Sequence, residues 1–235
     1  MSQDIREIVL DTETTGMDPM TGDRLVEIGC IELVNHLPTG RTYHQYINPE
    51  RDMPAGAFAV HGLSEEFLAG YPVFAEIGAD FYAFIDNAKL VIHNAEFDMK
   101  FINAELSGLG FPSIPMKNVV DTLAIARRKF PGSPANLDAL CRRFGIDNSN
   151  RTLHGALLDA ELLADVYLEL LGGRQHGLTL MTETITQDEL IVATTSMDRS
   201  GSSRPYRQFP PSDAELAAHE DMLSGMKEPL WKTAK

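Results

Sequence analysis

Three short stretches of this 235-residue sequence hold side chains able to bind hard cations and move protons. They are Asp11-Thr12-Glu13, His93-Asn94-Ala95-Glu96-Phe97-Asp98 and His154-Gly155-Ala156-Leu157-Leu158-Asp159. The first sets two carboxylates one residue apart at the end of an apolar run, and the two-residue period of a strand turns both to the same side. Like charges there repel unless a cation lies between them, and Mg²⁺ and Mn²⁺ are cations that prefer carboxylate oxygens. In the second stretch Asn94 is a candidate N-cap and Asp98 a first-turn acid of the helix that follows. In the third, His154 and Asp159 reach one point only if His154 lies in the loop before the helix, a bend that Gly155 eases. Singly, each stretch also fits a plainer account: a solvated strand end, helix-end electrostatics, a surface histidine. Jointly, four acids and one histidine at element boundaries match what two-metal phosphodiester hydrolysis requires, anionic oxygens for two cations and a base for water.

The elements that must position these groups alternate between strand and helix. Glu7 to Leu10 and Leu25 to Val34 read as strands, Asn35 to Gly40 as a turn and Arg41 to Ile47 as a third strand, together a meander. From Tyr71 to Asn87 the positions Phe74, Ile77, Phe81, Phe84 and Ile85 recur at helical spacing, with Pro72 suited to the first turn. Leu90 to His93 and Val119-Val120 are strands; Ala95 to Gly108, Asn136 to Phe144 and Ala156 to Leu171 are helices, the last stopped by Gly172-Gly173. This alternation predicts an α/β sandwich with functional groups at strand ends and helix starts. Beyond Gly173 the character changes. Residues 194 to 211 are rich in Ser, Thr, Gly and Pro and read as a flexible linker; Ser212-Asp213-Ala214-Glu215 then has the form of a capping box opening a short helix that Gly225 ends. Such a helix is marginal alone and is expected to order against a partner.

With 43% hydrophobic and 23% charged residues the chain has globular composition, which excludes a fully disordered or collagen-like protein. No apolar run reaches membrane-spanning length and the first ten residues lack a signal-peptide core, so a cytoplasmic protein without membrane contact is expected. Cys30 and Cys141 lack zinc or redox spacing and read as buried small hydrophobes. The net charge of −14 argues against a broad basic grip on nucleic acid. It leaves open an enzyme whose bound cations supply positive charge locally. Arg142, Arg143 and Arg151 are candidates for phosphate contacts, although scattered surface arginines are the commoner account, and Asp121 reads as structural.

Taken in order, the three stretches resemble the motifs of the DEDD-type 3′→5′ exonucleases, in the branch that uses a histidine. The first motif continues through Thr14-Thr15-Gly16, and no tyrosine stands closer to Asp159 as the other branch requires. The resemblance spans about residues 5–172 and includes Val60-His61-Gly62-Leu63 and Asp121-Thr122-Leu123. It implies a ribonuclease H-like mixed sheet flanked by helices, with two Mg²⁺ or Mn²⁺ ions held by Asp11, Glu13, Asp98 and Asp159. His154 would be the general base, so activity should rise as it loses its proton. A DNA 3′ end would meet Glu13, Thr14, Thr15, Gly16, His61 and Phe97. Within the family the likeness is greatest to the proofreading subunits of bacterial replicative DNA polymerases, whose polymerase-binding end the segment Asp213 to Glu220 and Leu230-Trp231 resemble. This implies residues 1–173 as exonuclease domain, 174–211 as linker and 212–235 as a tail for the polymerase alpha subunit. Gln175 and Leu178 also resemble a peptide that docks on the sliding clamp, and a coincidence fits them equally. An RNA-trimming exonuclease is the enzymatic alternative, which the tail disfavours; a non-catalytic scaffold is disfavoured by the intact acids and His154.

Overall fold

In the computed structural model, which describes residues 4–151, 153–173 and 211–225, five strands form one mixed sheet in the order β3-β2-β1-β4-β5. Central β1 (Arg6–Thr14) and β2 (Leu25–Val34) pair antiparallel, as do β2 and β3 (Leu37–Tyr46). On the other side of β1, β4 (Lys89–Ile92) and β5 (Val119–Asp121) run parallel to it. Parallel neighbours need a crossover, and α4 (Ala95–Gly108) supplies one between β4 and β5. Ahead of β4 lie α1 (Ala55–His61), α2 (Glu65–Leu68) and α3 (Phe74–Ile85); after β5 come α5 (Thr122–Lys129), α6 (Leu137–Phe144) and α7 (Ala156–Leu171).

Strand alternation divides the apolar residues between two cores, one on each face of the sheet. Ile8, Leu10, Leu90 and Ile92 pack with Phe74 and Phe81 of α3 and Phe101 and Ile102 of α4. Val9, Ile31 and Val91 pack on the other face with Leu140 and Cys141 of α6 and Leu163 and Val166 of α7. Cys30 and Cys141 are both free and buried, as their spacing predicts.

Three local expectations are corrected. β1 runs four residues past Leu10, so Asp11 and Glu13 lie within the strand, opposite Gly29 and Glu27 of β2. The β2–β3 turn is only Asn35-His36, with φ of 53° and 65°, and β3 therefore starts at Leu37 rather than Arg41. Two residues of positive φ match the twist of a tight hairpin, which a six-residue loop does not exploit. The helix sought from Tyr71 to Asn87 is the shorter α3, whose N-cap is Val73, so Pro72 precedes the helix. The short α1, α2 and α5 were not anticipated; they span 7, 4 and 8 residues, and the first two are too short for an apolar stripe to emerge.

The chain divides into two compact units, Met1–Leu178 and Thr179–Lys235. In the second, α8 (Asp213–Ser224) opens on the expected capping box: Ser212 accepts from the Glu215 N–H, and the Glu215 carboxylate accepts from the Ser212 N–H at 2.8 Å. Gln175, Leu178, Leu230 and Trp231 lie outside the described residues. No described helix is long and apolar enough to cross a membrane.

Candidate active site

The two faces of β1 explain how four acids meet. Asp11 and Glu13 continue the face of Val9, toward α7, while Thr12 continues the face of Ile8 and Leu10, toward α4. From α4, Asp98 accepts a hydrogen bond from the Thr12 hydroxyl at 2.7 Å. From α7, Asp159 approaches Glu13, and donor atoms of Glu13, His154 and Asp159 lie within 4.8 Å of one another. The acids therefore converge around the C-terminal end of β1. Thr12 is the hinge of this arrangement, and its part was not seen in the sequence, where it separates the two acids of the first motif.

Close approach of α7 depends on Gly29. A Cβ at that position would lie 2.3 Å from the Ala156 carbonyl carbon and the Leu157 nitrogen, so only glycine lets the first turn of α7 rest on β2. Gly29→Val is expected to push α7 away, lowering stability by about 1–3 kcal/mol and displacing Asp159 from Glu13. Thermal melting together with a nuclease assay checks both effects.

His154 does precede the helix, which starts at Ala156. Its backbone N–H donates to the Val60 carbonyl at 3.1 Å, bringing the end of α1 to the site. Gly155 is extended at φ −154°, a conformation open to any residue, so the bend does not need a glycine there.

Arg151 departs from the surface account. Its side chain is 8% exposed, and its Nε and Nη2 donate to the two Asp159 carboxylate oxygens at 2.5 and 2.6 Å. Nη1 reaches Asp138 at 2.9 Å, and Nη2 stands 3.0 Å from His154 Nδ1. A fork of this kind fixes a carboxylate in direction as well as in charge. Removing one partner of a buried pair leaves the other uncompensated, so Arg151→Ala should cost about 3–5 kcal/mol of stability. Denaturant melts without metal measure it, and divalent cation should recover part of the loss by satisfying Asp159. A second buried group that the sequence did not reveal is Glu27, directly across the sheet from Glu13 and held by His44 Nε2 at 2.7 Å.

Crowding shows in the protonation of the acids. Desolvation, then Asp98, Glu13 and Asp159, hold the Asp11 carboxyl well above the ordinary carboxylate range, with Arg151 opposing. Glu13 is pushed up to about 8 by burial and by Asp159, Glu27 and Asp98. Burial raises Asp98 to about 7 against the Thr12 hydrogen bond. Carboxylates gathered at a common energetic cost are the donor set that hard divalent cations take up, because the cation replaces the protons.

The cleft over these groups has a volume of about 500 Å³. It is bordered by Asp11, Glu13, Thr14, Thr15, Gly16, His61, Phe97, Asp98 and His154. The Thr14 hydroxyl is spent on the Gly16 carbonyl at 2.7 Å, and the Thr15 hydroxyl accepts from the Arg24 N–H at 3.0 Å. Gly16 admits Asp23, whose carboxylate would sit 2.3 Å from a Cβ there. Asp23 in turn pairs with Arg51 at 2.7 Å, tying this loop to the segment before α1. His61 Nδ1 accepts from the Leu63 N–H at 3.0 Å, while its buried Nε2 has no partner among the described residues. Burial lowers the pKa of this imidazole. Phe97 is half-buried, packing on Phe101 as well as bordering the cleft. Asn94 stands before α4 in the left-handed conformation and makes no side-chain cap, contrary to expectation. Asp121 is structural as expected, accepting from the Leu123 and Ala124 N–H groups at the start of α5.

Known proteins bear out this architecture. The profile of the Exonuclease family matches residues 8–167. The DNA polymerase III subunit epsilon of Rickettsia felis is 50% identical over 94% of this chain and 97% of its own. That of Escherichia coli strain K12 is 46% identical over 97% of each. Among solved structures, the nuclease domain of 3′hExo, a DEDDh family member, superposes with a TM-score of 0.60 at 18% identity, over 72% of this chain and 93% of that one. Exonuclease X in complex with 5′ overhanging duplex DNA gives 0.55 at 23% identity, over 70% and 90%. The five-stranded mixed sheet is thus the ribonuclease H-like exonuclease fold, and the chain belongs to the Exonuclease family, among the epsilon subunits of bacterial DNA polymerase III.

Proposed function

We propose that this chain removes mismatched 3′-terminal nucleotides from DNA through a site in which Asp11, Glu13, Asp98 and Asp159 hold two Mg²⁺ or Mn²⁺ ions and His154 is the general base. Proofreading 3′→5′ exonuclease activity is the work of the epsilon family to which the chain belongs. The observation that carries the residue assignment is the convergence of Asp11, Glu13, Asp98 and His154 on one cleft, with Asp159 beside Glu13 and His154. Bound divalent cations supply Lewis-acid stabilisation of phosphate charge and a more acidic attacking water.

The chain's own groups do the rest. His154, half exposed at the cleft edge, accepts the proton of that water. Arg151 holds Asp159 and, through the same guanidinium, the neighbouring imidazole in place. Thr14 and Thr15, their hydroxyls spent inside the loop, and His61 border the nucleotide's place in the cleft, and the Phe97 ring offers it a stacking surface. Selection of mismatches needs no reading of sequence: an unpaired end separates from its template at lower cost.

Incubation of the full chain with 3′-mismatched primer–template and Mg²⁺ tests this reading. Stepwise loss of 3′ nucleotides, abolished by chelator and by Asp11→Ala, supports it, and persistence in either control refutes it. A matched RNA substrate distinguishes an RNA-trimming enzyme.

The remaining layout follows the same reading: residues 1–173 are the nuclease, 174–211 a linker with a candidate clamp peptide at Gln175 and Leu178, and 212–235 a tail that binds the polymerase alpha subunit in the cytoplasm. The capping box that starts α8 supports the tail assignment, since it prepares a short helix for a partner surface. Deleting residues 205–235 should abolish co-purification with the polymerase subunit and leave hydrolysis intact; retained association would sink the assignment.

A further inference from the structure

Among the described residues, the arginines of this acidic chain fall into two groups. Arg6, Arg24, Arg41, Arg51 and Arg151 each pair with a carboxylate. Arg127 and Arg128 at the end of α5, and Arg142 and Arg143 at the end of α6, are exposed and pair with none among the described residues. Residues 117–144 hold six basic against two acidic side chains in a chain of net charge −14. Both acids are committed elsewhere, Asp121 to the start of α5 and Asp138 to Arg151 and Asn148. Cations complement helix C-termini, yet three basic residues end α5 and two end α6, more than that effect calls for. The guanidinium of Arg143 lies over the Phe130 ring, 4.2 Å from its centroid, and so fastens the two helix ends into one surface. Arg127 borders a hollow together with His93 and Asn94, and those same two residues border the active cleft.

We infer that the C-terminal ends of α5 and α6 form a track for the phosphate backbone of the DNA strand whose 3′ end lies in the cleft, an inference that rests on the function proposed above. Guanidinium forks suit phosphate oxygens, and exposed arginines without a carboxylate partner keep charge to offer them. Continuity with the cleft through His93 and Asn94 favours nucleic acid over an acidic protein as the occupant. The contact carries no sequence preference, because it reads only the backbone.

The test compares the full chain with the variant R127Q/R128Q/R142Q/R143Q. Binding of a fluorescent primer–template is measured by anisotropy in chelator at about 50–200 mM salt. Hydrolysis of the p-nitrophenyl ester of thymidine 5′-monophosphate, which reaches no further than the terminal-nucleotide pocket, is measured in Mg²⁺. The expected result is a Kd raised about tenfold or more at the lower salt, a salt slope smaller by about one unit per lost contact, and unchanged ester hydrolysis. Unchanged DNA affinity and slope would overturn the track, and loss of polymerase association with DNA binding intact would assign the patch to a protein instead. If the wild type binds DNA through these arginines but hydrolyses nothing, the track stands and the exonuclease assignment falls. Should the fourfold variant melt early, R127Q/R128Q leaves the Arg143–Phe130 stack in place and carries the same test with half the change in slope.

Discussion

Glu13→Gln should abolish most hydrolysis and at the same time make the metal-free protein more stable at pH 8. Loss of one ligand to the cations removes several kcal/mol of transition-state stabilisation, about a thousandfold in rate. The stability gain comes from the opposite side of the same chemistry. Folding raises Glu13 from 4.5 to about 8, so between those values the folded state holds a proton that the unfolded state releases. Stability of the metal-free wild type therefore falls as pH rises from about 4.5 to about 8, by on the order of 3–5 kcal/mol for this group, and the cost is complete above the upper value. Glutamine carries no charge and escapes that loss. A melting midpoint about 5–10 °C above wild type at pH 8 is expected, with little difference below pH 4. Saturating Mn²⁺ should raise the wild type and move the variant far less. A variant that is both active and no more stable would remove Glu13 from the cation site.

His154→Ala should leave the fold untouched and slow hydrolysis by about 10²–10⁴-fold, the usual worth of a positioned general base. The side chain is 49% exposed and anchored through its backbone to Val60, so its loss leaves no buried cavity. The melting midpoint should stay within about 2 °C of wild type. The decrease should appear in kcat more than in KM. A variant with wild-type kcat, or a wild type whose rate is flat from acid to neutral pH, contradicts the role.

The long, strongly patterned elements were legible from the residues alone. β2, α4 and α7 carry sustained apolar patterns bounded by turn residues, and their limits coincide with the expected ones. The end of β1 was hidden because its last residues are the polar Asp11-Thr12-Glu13-Thr14, which interrupt the apolar run that marks a strand. For the site, local motifs pointed to the four acids and His154, but the groups that hold them depend on register and tertiary contact. Glu27 faces Glu13 only through the β1–β2 pairing, and Thr12 meets Asp98 only because α4 covers the opposite face of β1. Arg151, three residues before His154 and eight before Asp159, offered a spacing but no periodicity, and its burial arises from Asp138 and Asp159 closing over it. Gly29 left no signal except its place inside a buried strand, the position an approaching helix requires.

Diffraction at the manganese edge, from crystals of the full chain soaked with Mn²⁺ and a nucleoside 5′-monophosphate, tests the central claim most directly. Two anomalous peaks enclosed by Asp11, Glu13, Asp98 and Asp159, with the phosphate against them and His154 at its edge, are the predicted result. A map with no peak among these carboxylates, or with the phosphate bound elsewhere, would contradict the account.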